Sequence, residues 1–123
     1  MKKLLILLGM LLLGIVSYAK EEDIIGTWLI KENGKIVEIY KNETGEYIGK
    51  IKENNFIFLK QNNDLTYSKE RNSLAYFTLK FPEDKFSWNV WINIEKDGNL
   101  FIKGTGNTEV GKYVTELHLI RQK

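Results

Sequence analysis

The stretch IIGTWLIKENGKIVEIY, residues Ile24 to Tyr40, contains the pattern that decides the fold. Apolar and polar residues alternate on both sides of Asn33-Gly34, and this dipeptide favours a two-residue hairpin turn. Such a turn would place Trp28 opposite Ile39, with both side chains on the apolar face of the hairpin. The stretch therefore predicts a β-hairpin whose inner face includes Trp28.

The rest of the chain repeats short β-branched and aromatic runs that are separated by Asn, Asp and Gly. Eight runs are predicted to be strands, at residues 25–32, 35–41, 46–52, 56–60, 74–81, 86–95, 100–104 and 112–121. Closing the first strand onto the last would remove exposed edges. We therefore expect an all-β, eight-stranded antiparallel up-and-down barrel in a single domain, residues 20–123. The polar segment 60–73 is predicted to be the longest loop.

The turns also predict how neighbouring strands are aligned. Residues 42–45 and 96–98 suit turns that end in a glycine bulge, and residues 54–55 and 82–84 suit turns as well. These turns predict the cross-strand pairs Val37–Ile51, Glu38–Lys50, Ile51–Phe58, Leu79–Trp88 and Ile92–Ile102. One continuous apolar face would then point into the barrel.

Residues 1–19 are typical of a secretory signal peptide. Lys2 and Lys3 precede an apolar run of thirteen residues, and Ser17-Tyr18-Ala19 supplies small residues at the cleavage positions. The run is short for a membrane-spanning helix, which needs about 20 apolar residues. We therefore expect cleavage after Ala19, no membrane anchor, and a mature protein that is periplasmic or secreted.

Charge and cysteine content narrow the classes of partner. Removing Lys2 and Lys3 from the 18 basic residues leaves 16, equal to the 16 acidic residues, so the mature domain has no formal net charge. A nucleic-acid partner would need a basic face, and none is predicted. Because the chain has no Cys, an exported domain must be held together by its core rather than by disulfides.

Three features of the chain resemble the calycin group, which includes lipocalins, fatty-acid-binding proteins and avidins. They are Gly26-x-Trp28 in the first strand, eight meandering strands, and Arg121 at the end of the last strand. Shorter motifs are similar to those of domain of unknown function 2147, a family of small exported bacterial proteins with a lipocalin-like fold. These motifs are Asn33-Gly-Lys-Ile-Val37, Tyr47-x-Gly-Lys-Ile51, and Asp97-Gly-Asn-Leu100 before Lys103-Gly104.

The resemblance implies a barrel with a closed end, which we call the floor. In calycins the Trp of the first strand lies across the floor, and a basic residue of the last strand covers it. Trp28 and Arg121 match these two positions, and a guanidinium over an indole is a favourable contact. The resemblance brings no established activity, so it predicts an architecture rather than a reaction.

The opposite end, which we call the mouth, is the predicted ligand site. Aromatic side chains would line it: Phe56, Phe81, Phe86 and Trp88. Glu32 and Lys35, predicted to face each other across the first turn, would orient the polar group of a ligand. Two plainer interpretations stay open. A small barrel can be filled by its own side chains, and Glu32 and Lys35 can form a solvated ion pair.

No arrangement of residues points to catalysis. His118 is the sole histidine, it is predicted to face outward, and without any Cys it has no second strong metal ligand. We therefore predict neither an enzyme nor a cofactor or metal. Trp91 and Phe101 are predicted to face outward, where a contiguous apolar patch would mark a partner surface.

Two functions fit these features. The first is an exported, monomeric binding module for a small apolar or amphipathic ligand. The alternative is a cell-envelope interaction protein, for example of the inhibitor type, with a filled core and a partner protein at Trp91 and Phe101. A usable cavity would favour the first function, and a filled interior would favour the second.

Overall fold

The structure, a computed structural model, describes residues 20–108 and 111–123. The predicted signal peptide, residues 1–19, lies outside the described residues. A 3₁₀ helix, Glu21–Ile24, precedes eight strands: β1 (Gly26–Ile30), β2 (Ile36–Lys41), β3 (Tyr47–Ile51), β4 (Ile57–Ser68), β5 (Ser73–Leu79), β6 (Trp88–Ile94), β7 (Leu100–Thr108) and β8 (Gly111–Arg121). Within the described part of the chain, no helix is long and apolar enough to cross a membrane.

The strands form a closed antiparallel barrel in chain order. Each strand pairs with the next, and β1 also pairs with β8, where Trp28 is opposite Arg121 and Ile30 is opposite Leu119. The predicted all-β, eight-stranded up-and-down barrel is therefore confirmed. Closure gives β1 a partner on the edge that would otherwise be free to pair with another chain.

Most of the predicted alignments are confirmed. The observed pairs include Val37–Ile51, Glu38–Lys50, Leu79–Trp88 and Ile92–Ile102. On the outer face of β2 and β3, Nζ of Lys50 lies 3.8 Å from Oε1 of Glu38. Because both side chains are partly exposed, this ion pair contributes only about 0–1 kcal/mol to stability.

The first hairpin has a longer turn than its sequence predicts. Trp28 is opposite Val37 rather than Ile39, and the amide of Ile30 donates to the carbonyl of Lys35 at 2.9 Å. A two-residue turn of this type needs positive φ at both central residues, whereas in this Asn-Gly pair only Gly34 has it, at +73°. The predicted pairing is wrong by two residues. An even shift leaves every side chain on its predicted face, so Trp28 still points inward.

The predicted loop at residues 60–73 is wrong, because β4 continues to Ser68. Its second half pairs with β5, with Thr66 opposite Ala75 and Ser68 opposite Ser73. The register of this pair shifts between Gln61 and Thr66. Such an irregularity interrupts the two-residue period by which a strand is identified, so the segment looks like a loop in the sequence.

A second irregularity lies between β3 and β4. The register shifts between Gly49 and Lys50, which leaves Phe58 as an extra residue in β4. The amide of Ile51 donates to the carbonyl of Phe56 at 2.8 Å, so the predicted pair of Ile51 and Phe58 is wrong. The predicted pairing was counted outward from the turn and assumed an unbroken ladder, so it could not include a one-residue bulge.

The barrel interior is apolar. Buried side chains that were predicted to face inward are Trp28, Ile30, Val37, Ile39, Ile51, Phe58, Phe77, Leu79, Phe81, Val90, Ile92, Ile94, Leu100, Ile102, Leu117 and Leu119. Four further core residues were not predicted: Ile24, Tyr47, Leu59 and Leu74. Ile48 is also buried but lies outside this core cluster. Among the residues whose burial is described, no polar or charged side chain is buried. Apolar burial, at about 25 cal/mol per Å², therefore stabilises this core without disulfides.

Candidate functional site

Arg121 covers Trp28 at the floor of the barrel. Cζ of Arg121 lies 4.2 Å from the centroid of the Trp28 ring. The guanidinium also donates Nη1–H to the carbonyl of Ile25 at 3.2 Å and Nη2–H to the carbonyl of Asp23. The indole Nε1–H donates to the carbonyl of Ile24 at 2.9 Å. These bonds tie the 3₁₀ helix across this end of the barrel.

Gly26, the glycine of the Gly-x-Trp motif, lies where a side chain would be unfavourable. Its φ is +150°, and a Cβ at this position would lie 2.7 Å from Nη1 of Arg121. A side chain would therefore meet both a strained backbone and the guanidinium. Glycine leaves room for Arg121 to pass close to the backbone of β1 and reach Trp28.

Sequence reasoning did not find the 3₁₀ helix, although a signal for it exists. Three acidic residues, Glu21, Glu22 and Asp23, occupy its first turn, where they complement the positive end of the helix. The amide of Lys20 donates to Oδ2 of Asp23 at 2.8 Å. The helix then places Ile24 in the core, which strand alternation could not predict.

Two tyrosines complete the floor. The hydroxyl of Tyr47 donates to Oε1 of Glu21 at 3.4 Å. Burial raises the pKa of Tyr47 to about 12, and the carboxylates of Glu21 and Glu22 contribute to the increase. Burial also raises the pKa of Tyr67, with contributions from Asp23 and Glu21. Both phenols therefore stay neutral near physiological pH.

The mouth, at the opposite end, contains the predicted aromatic residues. The rings of Phe58 and Phe81 stack, with centroids 5.3 Å apart and planes 14° apart, and both are buried. Phe56 and Trp88 are only partly buried and pack against this core from above. The four predicted lining residues thus differ in exposure, since Phe81 belongs to the core and Phe56, Phe86 and Trp88 remain partly open to solvent.

Gly106 provides the space in which two of these rings lie. The centroids of Phe86 and Trp88 are 4.9 Å apart, with the planes tilted by 51°. A Cβ on Gly106 would lie 2.7 Å from Cε2 of Phe86 and 2.9 Å from Cε3 of Trp88. The two rings therefore rest on the backbone of β7, which holds them in place at the mouth.

Glu32 does not face Lys35. Oε1 of Glu32 accepts the amide of His118 at 2.7 Å, and Oε2 lies 2.6 Å from Nδ1 of His118. Lys35 is instead opposite Ile30. The predicted pair of Glu32 and Lys35 is wrong because the four-residue turn carries Glu32 to the outer side of β8. Because only closure of the barrel brings β8 next to β1, no local sequence pattern predicts the contact between Glu32 and His118.

The pair formed by Glu32 and His118 fastens the first turn to β8. Burial raises the pKa of Glu32, but the backbone amide and the ring of His118 lower it by more, so the net pKa lies below its ordinary value. The ring of Phe101 packs on His118, with centroids 4.9 Å apart.

No group of three or more His, Cys, Asp or Glu side chains suited to a metal ion occurs within residues 20–108 and 111–123.

Trp91 and Phe101 lie on the same outer face but have different surroundings. Trp91 is opposite Lys103, and Phe101 is opposite Asn93. Both side chains are partly buried. Phe101 packs on His118, whereas Trp91 lines a surface groove together with Tyr76.

No family model, curated protein or solved structure matches this chain. The class is therefore defined by geometry: a closed, eight-stranded antiparallel barrel with Trp28 and Arg121 packed at one end and partly exposed aromatic rings at the other. Membership of the calycin group, and of domain of unknown function 2147, stays a prediction from the sequence motifs.

Proposed function

We propose that the protein is an exported, monomeric binding module that holds a small apolar or amphipathic ligand at the mouth. One observation supports this most strongly. Phe56, Phe86 and Trp88 are partly exposed at the mouth, whereas Arg121 and the 3₁₀ helix cover the floor. Rings that are fixed by the core and open to solvent offer a ligand an apolar surface that needs no unfolding of the barrel.

The ligand would lie across the mouth rather than deep inside the barrel. Below the exposed rings, Phe58 and Phe81 stack and are buried, so the barrel's own side chains fill this level. No polar side chain is buried among the residues whose burial is described, so the polar group of an amphipathic ligand would remain in water. Lys35, which shares the inner face with Ile30 at the rim, would favour an anionic head group.

Calorimetric titration with laurate, which has an alkyl chain and a carboxylate, tests the proposal. We expect saturable binding that Trp88→Ala weakens by roughly tenfold or more, because buried Trp contacts dominate many interfaces. Phe101→Ala, which removes a ring from the outer face, is the matched control and should bind as the parent does. Thermal unfolding of both variants checks that they fold. Absence of saturable heat, or equal affinity in Trp88→Ala, would contradict the proposal.

The alternative is a cell-envelope interaction protein with a filled core. The stacked, buried rings below the mouth favour it, because they occupy the volume that a deeply held ligand would need. Its partner would bind the outer face, where Trp91 is available and Phe101 is partly covered by His118. Capture of one envelope protein that is lost in Trp91→Ala, together with no response to laurate, would favour this alternative.

A further inference from the structure

A groove crosses the outer face of the barrel over β4, β5, β6 and β7. Its described lining is mostly apolar surface with a few polar groups, and consists of Asn62, Ala75, Tyr76, Asn89, Val90, Trp91 and Thr105. The lining residues therefore come from four neighbouring strands. The barrel wall separates this groove from the apolar interior, so its ligand need not resemble a ligand of the mouth.

Two aromatic rings stand in the groove. The side chain of Tyr76 is 56% exposed, and Trp91 is partly buried beside it in the lining. The faces of indole and phenol rings are electron-rich and attract the slightly positive hydrogens of C–H groups. A pyranose ring presents such C–H groups on its faces and hydroxyl groups around its edge.

A row of uncharged polar side chains accompanies the rings. Asn89 is opposite Thr105 on β7 and opposite Thr78 on β5. The hydroxyl of Thr78 donates to Oδ1 of Asn62 at 2.7 Å, which orients the amide of Asn62. Amides and hydroxyls both donate and accept hydrogen bonds, as the hydroxyl groups of a sugar do.

The described residues of the lining are uncharged. Among the lining residues whose side chains the structure describes, none carries a carboxylate, an ammonium or a guanidinium group. Lys60, opposite Thr78, and Lys103, opposite Trp91, flank the groove without lining it. A phosphate head group or an acidic peptide would need a cation in the lining, so the groove suits an uncharged, hydroxyl-rich ligand.

Tyr76 is held in a strained conformation. Its φ is +71°, a region that residues with a side chain seldom adopt. The register between β5 and β6 shifts between Leu74 and Phe77, which are both buried, so Ala75 and Tyr76 form a bulge. Bulges and strained residues occur often at functional sites, where they redirect a side chain. Here the bulge presents the Tyr76 ring to the groove.

We propose that this groove binds a neutral oligosaccharide. Trp91 and Tyr76 stack on the faces of successive sugar rings, and Asn62, Asn89 and Thr105 bond to the hydroxyl groups. The proposal is independent of the mouth, because the two sites share no residue.

Titration with maltohexaose, cellohexaose and acetylated chitotetraose, followed by NMR of the ¹⁵N-labelled protein, tests this inference. We expect at least one of them to bind saturably, with shifts at Trp91, Asn62 and Asn89. Trp91→Ala should weaken binding by roughly tenfold or more, and Phe101→Ala, outside the groove, should not. Absence of saturable shifts with all three probes, or unchanged affinity in Trp91→Ala, would overturn the inference. Capture of a protein by the groove without any response to sugars would also overturn it.

Tyr76→Gly separates a binding role from a structural one. Glycine adopts positive φ without strain, so the substitution should raise the unfolding temperature while it removes sugar binding. A structural role for the ring would give the opposite stability result. A lower unfolding temperature together with intact sugar binding would therefore contradict the assignment of Tyr76.

Discussion

At the scale of single residues, Gly26 leaves the space through which Arg121 reaches Trp28. The guanidinium then joins the indole face to the carbonyls of Asp23 and Ile25. Sequence motifs and resemblance were enough to pair Trp28 with Arg121. They could not explain the glycine, because the clash that it avoids depends on the path of the Arg121 side chain.

We predict that Gly26→Ala is more destabilising than Gly98→Ala. Both glycines have positive φ, at +150° and +88°, so alanine adds backbone strain of about 1–3 kcal/mol at either site. A Cβ at Gly98 meets no atom within 4 Å, whereas a Cβ at Gly26 would lie 2.7 Å from Arg121. Only Gly26→Ala therefore also disturbs the contact between Arg121 and Trp28. Equal losses in urea unfolding would show that this contact does not depend on Gly26.

Glu32 gives a pH-dependent prediction at the same scale. Its pKa is raised by burial but lowered by more through the amide and ring of His118, to below the ordinary 4.5. A carboxyl group with a lowered folded pKa contributes stability above its unfolded pKa and loses it as the pH falls through the folded value. Near neutral pH, Glu32→Gln should therefore reduce the free energy of unfolding by about 0.2–1 kcal/mol, as for other exposed pairs.

Measuring the free energy of unfolding at a series of pH values tests this prediction for Glu32. In urea unfolding, the difference between Glu32→Gln and the parent should shrink as the pH falls below 4.5. Glu53→Gln, in the turn between β3 and β4, controls for removal of a surface carboxylate. A difference that stays constant or grows below pH 4.5 would contradict the contribution of the bond between Glu32 and His118.

At the scale of elements, strands with regular alternation of apolar and polar residues were predicted correctly. Where a bulge or a register shift interrupts the ladder, the prediction was wrong. The ladders of β2 with β3 and of β6 with β7 have unbroken alternation near their turns, and their pairs were predicted correctly. The ladders of β4 with β3 and β5 contain register shifts. A bulge depends on tertiary fit rather than on residue type, so neither the length of β4 nor the burial of Leu74 could be predicted.

Hydrogen exchange distinguishes a long β4 from a loop. We expect amide hydrogens within residues 66–68, which pair with residues 73–75, to exchange more slowly than those of the connecting residues 69–72. NMR exchange at individual amides measures this directly. Equally fast exchange in both segments would indicate that the second half of β4 is a loop.

At the scale of the whole molecule, the barrel is asymmetric along its axis. The floor is closed by a helix, an indole and a guanidinium, while the mouth keeps partly exposed rings on a filled core. Sequence alternation placed the mouth residues Phe56 and Trp88 on the inner face. It could not show that Glu32 turns outward to His118 or that a groove forms beside Trp91, because both depend on contacts between strands distant in the chain.

The three tryptophans report separately on the floor, the mouth and the outer groove, so one NMR titration tests the mouth most directly. Laurate would be added to ¹⁵N-labelled protein while the indole N–H signals of Trp28, Trp88 and Trp91 are followed. We predict a saturable shift of the Trp88 signal. The Trp28 signal, bonded to the carbonyl of Ile24, should stay in place, and so should that of Trp91. An unmoved Trp88 signal, or a shift confined to Trp91, would contradict ligand binding at the mouth.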